Sequence, residues 1–223
     1  GAGVALGDVV AEVEKLLADY PAPDGVDLEV GGTVEDQGDA FGDLGTLLIL
    51  IVILVYIVMA TQFESLKFPF IIMFTIPFAF TGVFLALWMT STPLSLIALI
   101  GAIMLVGIVT KNGIVMVDYM NLLIERGSGV FDAVIAGGKS RLRPVLMTSF
   151  TTILGMLPLA IGTGAGSETW QPMGIAVIGG LTFSTILTLF IVPVLYSILV
   201  NRSQRKEREK LARLSAEHQA SKH

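Results

Sequence analysis

The stretch Gly101–Asn121, GAIMLVGIVTKNGIVMVDYMN, restricts the chain most: it is an apolar run of helical character with Lys111 and Asn112 near its middle and Asp118 further on. At 1.5 Å per residue, Lys111 lies about 25 Å from the expected helix start at Leu94 and about 12 Å from Tyr119. An unpaired ammonium at such depth in lipid costs at least ~2.5 kcal/mol. Two readings follow. The lysine faces a protein interior as part of a pathway, or it snorkels, lifting its charge to the nearer interface. Helical side chains lean toward their own N-terminus, and the charge distribution described below puts that end outside, so the lysine leans back toward the membrane centre. Gly107, one turn earlier, leaves space for a neighbouring helix. Asp118 returns to the face of Lys111 after seven residues but lies about 10 Å further along the axis, too far to pair with it. The partner of Lys111 must come from elsewhere, because no other carboxylate lies deep in any apolar run.

With 53% hydrophobic and 15% charged residues among 223, the chain is too apolar for an ordinary soluble domain and reads as an all-α membrane protein. Five runs are long enough to span a bilayer, at about 44–60, 68–89, 94–119, 144–161 and 173–200. Five is odd, so the termini lie on opposite sides. Residues 1–43 hold eleven carboxylates and one lysine, whereas the remainder holds eight carboxylates and thirteen basic residues. Lys67, Arg126, Lys139, Arg141, Arg143 and the tail mark the cytoplasmic side, while the loops near Thr90–Pro93 and Gly162–Pro172 carry no basic residue. The positive-inside rule therefore predicts an external, acidic N-terminus and a cytoplasmic C-terminus.

The chain contains no cysteine, and its two histidines, His218 and His223, both lie in the terminal tail, so neither a disulfide framework nor a thiolate metal site is available. An intramembrane protease would need two opposed membrane aspartates or a motif such as H-E-x-x-H, and neither occurs. The chain is not expected to be an enzyme or to use a cofactor. A non-transporting membrane scaffold remains the rival to a transporter, since packed, kinked helices need not carry anything.

Three regions are expected. Residues 1–40 read as the end of an extracytoplasmic α/β subdomain: Asp8 caps a helix running to about Tyr20, Pro21 ends it, and Val26–Val30 alternates as a strand. A small docking arm is the alternative. Residues 41–202 form the transmembrane bundle, with Phe41, Gly42 and Gly45 loosening the outer end of its first span. Kinks are expected at Pro69, Pro77, Pro158 and Pro193, and Pro144 suits a first helical position after a short helix VFDAVIAGG and the run KSRLRP. Small residues (Gly101, Gly107, Gly113; Thr151 with Gly155; Gly174, Gly179, Gly180) predict close helix packing. Thr148, about one turn inside, either reaches another helix or bonds its own backbone. Residues 203–223 form a basic tail, read as a solvated helix at the lipid surface. Nucleic acid is a poor match, because no aromatic residues interleave with the charges. Without an initiator methionine or a signal-like core, the chain is expected to be a segment of a longer polypeptide.

GIVTKNGIVMVDYMNLL, RLRPVLMTS, GMLPLAIGTGAGSE and IVPVLY, in this order and spacing, resemble the C-terminal transmembrane half of resistance-nodulation-division efflux pumps. The resemblance covers Phe41–Arg202 almost continuously. It implies a homotrimeric pump of the bacterial inner membrane that uses a proton gradient to export hydrophobic or amphiphilic compounds, with a periplasmic adaptor and an outer-membrane channel as partners. By the same resemblance Lys111 is the relay lysine, Thr148 the relay threonine and Arg141 the arginine at the inner mouth of the proton path. Asn112 and Asp118 join them as candidate relay residues. The lysine favours the drug-efflux branch over the heavy-metal branch. The aspartate pair that the lysine would meet belongs to the family's N-terminal half, so this segment is expected to be inactive alone.

Overall fold

The computed structural model describes residues 12–13, 15–17, 33–162 and 166–220. Residues 12–13 and 15–17 are helical; the rest of the Asp8–Tyr20 helix and the Val26–Val30 strand lie outside the described residues. Six helices follow: α1 (Thr33–Phe63), α2 (Lys67–Met73), α3 (Ile76–Met89), α4 (Leu96–Glu125), α5 (Val130–Ile161) and α6 (Ser167–Ala220). The described residues contain no strand, and five segments, with α2 and α3 counting as one, are long and apolar enough to cross a membrane. The fold is an all-α membrane bundle.

The bounds differ from the sequence expectation where local chemistry outweighs hydropathy. α1 starts eleven residues before the expected first span at 44, running unbroken through Gly38, Gly42 and Gly45. A Cβ at any of these glycines would meet nothing within 4 Å among the described residues, so they do not break the helix and pack closely against no described neighbour. α4 starts at Leu96 rather than Leu94 because Ser95 caps it, its hydroxyl accepting from the Ala98 amide at 3.2 Å. Pro144 is not a first helical position. α5 is continuous from Val130, so VFDAVIAGG, KSRLRP and the fourth span form one helix with Pro144 and Pro158 inside it. Likewise, α6 runs through Pro172 and Pro193 into the tail.

Pro69 lies in the first turn of α2, and of the expected kinks Pro77 alone follows a break within a span. A proline lacks an amide hydrogen and clashes with the carbonyl four residues back, here Met73. The chain stops being helical at Phe74 and Thr75 and resumes with Pro77 in the first turn of α3. Thr75 bridges the break: its amide and its hydroxyl both donate to the Ile72 carbonyl, at 3.0 and 2.6 Å. That carbonyl is thereby satisfied inside the bundle.

α6 is the hub, packing along α3, α4 and α5, while α1 touches α2 and α4 at the edge. The core has two parts. One, built from Ala79, Val83, Ala98, Ala102, Leu105, Ala176 and Leu181, is rich in small residues. Here α3 and α6 nearly touch: a Cβ on Gly82 would stand 2.6 Å from Phe183 Cβ and 2.8 Å from the Gly179 carbonyl oxygen. The other contains larger side chains, Met59, Ile71, Ile72, Met116, Met120 and Tyr196. Between lipid-soluble helices such contacts act through van der Waals packing rather than water exclusion, so small residues matter where backbones cross.

Two turns define one end of the bundle. Thr90–Ser95 links α3 to α4, and Gly162, with φ 73° and ψ 44°, ends α5 in the left-handed cap conformation that suits glycine. The opposite end carries Lys67, Arg126, Lys139, Arg141 and Arg143, and Arg202 closes the apolar part of α6 there.

Candidate functional site

The face of α4 divides cleanly. Leu105, Val109, Asn112, Met116 and Met120 recur at helical spacing and are buried, whereas Met104, Gly107, Lys111, Asp118 and Leu122 form an exposed stripe. Lys111 has no hydrogen bond or ion pair among the described residues. A Cβ on Gly107 would meet nothing within 4 Å, so the space one turn from the lysine is open. By contrast, a Cβ on Gly113 would stand 2.7 Å from Ile72 Cγ2, and one on Gly101 3.0 Å from the Met173 carbonyl oxygen. The glycines of α4 therefore serve two purposes, and only Gly107 faces outward.

A second open stripe lies on α5, where Thr148, Thr151 and Gly155 are exposed and Gly155 likewise has nothing near a Cβ. The Thr148 hydroxyl donates to its own helix, to the Val145 carbonyl at 3.0 Å, and reaches no other helix. Thr151 does the same toward Met147 at 2.8 Å.

Arg141 is anchored across the helix boundary. Its guanidinium carbon sits 4.5 Å from the centroid of the Tyr119 ring on α4, a cation–π contact, and its Nε is buried without a hydrogen-bond partner. Asp118 faces a small polar cleft of about 280 Å³ shared with Gln62, Glu64, Asn121 and Glu125. Of the five candidates, then, Lys111 and Asp118 share one face of α4, and Arg141 reaches α4 near Asp118 through Tyr119. Thr148 stands on a separate helix, and Asn112 points inward, toward the core rather than along the lysine stripe.

Sequence reasoning passed over the polar contacts inside the bundle. Ser149 and Thr185 share a buried hydrogen bond at 2.9 Å that ties α5 to α6. Tyr196 donates to Asn121 Oδ1, tying α6 to α4, and stacks on Phe68 at 5.6 Å between ring centroids. Thr188 Oγ1 is buried with no hydrogen-bond partner. The signal was present: Leu181, Ser184, Thr185, Thr188, Val192 and Tyr196 fall on one helical stripe, with hydroxyls among apolar residues.

Five membrane-length segments, one of them carrying Lys111 at mid-span, define a polytopic membrane protein. The family model described as "AcrB/AcrD/AcrF family" matches residues 1–200, and the chain belongs to that family, among the resistance-nodulation-division transporters. It is 37% identical over 199 residues to the swarming motility protein SwrC of Bacillus subtilis, covering 89% of this chain and 19% of that protein. It is 37% identical over 203 residues to the cobalt-zinc-cadmium resistance protein CzcA of Cupriavidus metallidurans, covering 91% and 19%. With the multidrug resistance protein MdtC of Erwinia tasmaniensis the identity is 37% over 207 residues, covering 92% and 20%. A crystal structure of a heavy metal efflux pump superposes with a TM-score of 0.78 at 30% identity, covering 89% of this chain and 20% of the pump. The chain thus spans about a fifth of the length of these relatives.

Proposed function

We propose that the chain is the C-terminal transmembrane half of a proton-driven efflux transporter and that Lys111 is its proton-relay lysine. One observation carries this reading: a lysine at mid-span is exposed beside an open glycine on a helix whose other faces are tightly packed. Lipid is a poor environment for that face, and a partner helix bearing carboxylates is a good one. A lysine held between carboxylates keeps them ionised, and protonating one of them frees the lysine for another contact. A proton thereby changes which helices touch, which is the step that drives a transport cycle.

The carboxylates come from the N-terminal half of the same pump, the inner membrane is the site of action, and the working unit is a homotrimer with a periplasmic adaptor and an outer-membrane channel. The N-terminus is external and the C-terminus cytoplasmic. The lysine supports hydrophobic and amphiphilic compounds over metal ions as substrates, and the chain is equally identical, at 37%, to a cobalt-zinc-cadmium resistance protein and a multidrug resistance protein. Thr148 and Arg141 serve the same proton path, with Asp118 at its mouth. Asn112, on the core face, has a weaker claim.

Lys111→Ala in the full-length parent should abolish proton-dependent export while expression and trimer formation stay near normal. Full drug resistance in cells carrying that variant at normal expression would overturn the assignment.

A further inference from the structure

α5 is 32 residues long, about 48 Å, whereas the hydrocarbon core of a bilayer is about 30 Å thick. Its apolar part, residues 144–161, accounts for about 27 Å, so Lys139, Arg141 and Arg143 come just before the hydrocarbon begins. These three cations do not share a face. At about 100° per residue, Lys139 and Arg143 lie within about 40° of each other, and Arg141 lies about 160° from both. Arg141 turns toward α4, where its guanidinium meets the Tyr119 ring, and Gly137 on that side packs against Met120. Ser149 turns toward α6, through its hydrogen bond with Thr185. Lys139 and Arg143 are turned from both contacts and are exposed.

The same outward face continues into the membrane. Met147, Phe150, Leu154 and Ile161 fall within about 80° of the two cations and are between 59% and 65% exposed, a continuous apolar strip on a membrane-length helix. From Arg143 to Leu154 the strip rises about 16 Å, close to the hydrocarbon depth of one leaflet. The stripe of Thr148, Thr151 and Gly155 is centred about 100° further round, so the proton path proposed for Thr148 does not compete for this face. Helical side chains lean toward their own N-terminus, which carries Lys139 and Arg143 out of the hydrocarbon toward the head groups. Residues 139–161 contain no aspartate or glutamate, and Asp132 stands about 10 Å beyond Lys139 on the aqueous side. Asp118 and Glu125 belong to α4, on the Arg141 side. The tail, residues 203–223, holds six basic residues and three carboxylates, so its net charge adds to the positive field, and residues 1–32 join α1 at its opposite end, across the membrane.

We propose that this face of α5 holds one anionic phospholipid, its phosphate between Lys139 and Arg143 and an acyl chain along Met147, Phe150 and Leu154. The guanidinium offers paired donors to phosphate oxygens, and the lysine one turn away adds a second positive charge. A zwitterionic lipid presents the same phosphate but brings its own ammonium, which the two cations repel, so head groups of net negative charge are selected. The apolar strip supplies what a soluble phosphate cannot use. The proposal goes beyond the relay reading: it involves neither Lys111, Thr148 nor Arg141, and it holds for either orientation of the chain.

The test is native mass spectrometry of the whole chain in detergent, titrated with phosphatidylglycerol or with phosphatidylcholine of the same acyl chains. Phosphatidylglycerol is expected to bind first, as a single copy, and roughly tenfold more tightly than phosphatidylcholine, the size of two basic residues at a lipid surface. Lys139→Gln combined with Arg143→Gln should bring the two lipids level. Arg126→Gln combined with Arg202→Gln, which removes the same charge from exposed positions at the same end, should keep the preference, with circular dichroism confirming the fold of both variants. Soluble glycerol 3-phosphate at the lipid concentration should displace nothing. Equal affinity of the unmodified chain for the two lipids, an equal loss of preference in both double variants, or displacement by glycerol 3-phosphate would overturn the proposal. Because no transport is measured, any of these results leaves the role of Lys111 untouched.

Discussion

Lys111 and Asn112 are neighbours in sequence and face different environments, because a helix turns about 100° per residue. One joins the exposed stripe of Gly107 and Asp118, the other the buried stripe of Val109 and Met116. The lysine's position was legible from hydropathy alone; which side of α4 faced the other helices was not, because the whole span is apolar and no amphipathic stripe marks its buried face. Thr148 poses the complementary case. Its hydroxyl already bonds the Val145 carbonyl, so any contact with a proton path must be shared with that bond. Thr148→Ala in the full-length parent should therefore reduce export only severalfold, against complete loss for Lys111→Ala, as read from drug accumulation at matched expression. A hydroxyl can be replaced by water; a buried charge cannot. The buried Ser149–Thr185 pair is a structural contact. A double-mutant cycle with Ser149→Ala and Thr185→Val, followed by thermal melting of the chain in detergent, should give a coupling of about 1 kcal/mol. A coupling near zero would mean that the two hydroxyls find equivalent partners elsewhere.

At the scale of elements, proline and glycine have meanings that sequence spacing leaves ambiguous. Pro77 stands at a real break because Thr75 can satisfy the Ile72 carbonyl with both its amide and its hydroxyl. Pro144, Pro158 and Pro193 look the same in sequence but lie within unbroken helices. Hydropathy found all five spans, yet it placed the starts of α1 and α5 late, because charged and glycine-containing turns can extend a helix beyond the lipid without entering it. Glycine divides in the same way: Gly82 brings α3 against the backbone of α6, and Gly107 faces open space. Gly82→Leu should therefore lower the melting temperature of the isolated chain sharply, since Phe183 Cβ and the Gly179 carbonyl already stand within 3 Å of the added Cβ position. A melting temperature equal to that of the unmodified chain would show that the α3–α6 crossing is not held by close approach.

For the whole molecule, the alternation of helices puts the Thr90–Ser95 turn at one end and the Arg126–Gly129 turn, with most of the basic residues, at the other. The chain contains no cysteine, so single cysteines make unambiguous reporters. A cysteine at Thr92 should react with an impermeant maleimide from outside intact cells, and one at Ser128 should react only after permeabilisation; the reverse pattern would invert the orientation. The central claim is that the open face of Lys111 and Gly107 is a docking face for helices lying outside this segment. It is tested most directly by Gly107→Leu, made both in the isolated chain and in the full-length parent. A Cβ there meets nothing within 4 Å among the described residues and Gly107 is exposed, so the melting temperature of the isolated chain in detergent should not change, while export by the parent should be lost as the partner helix is pushed away from the lysine. Wild-type export by the Gly107→Leu parent, at normal expression, would contradict the claim.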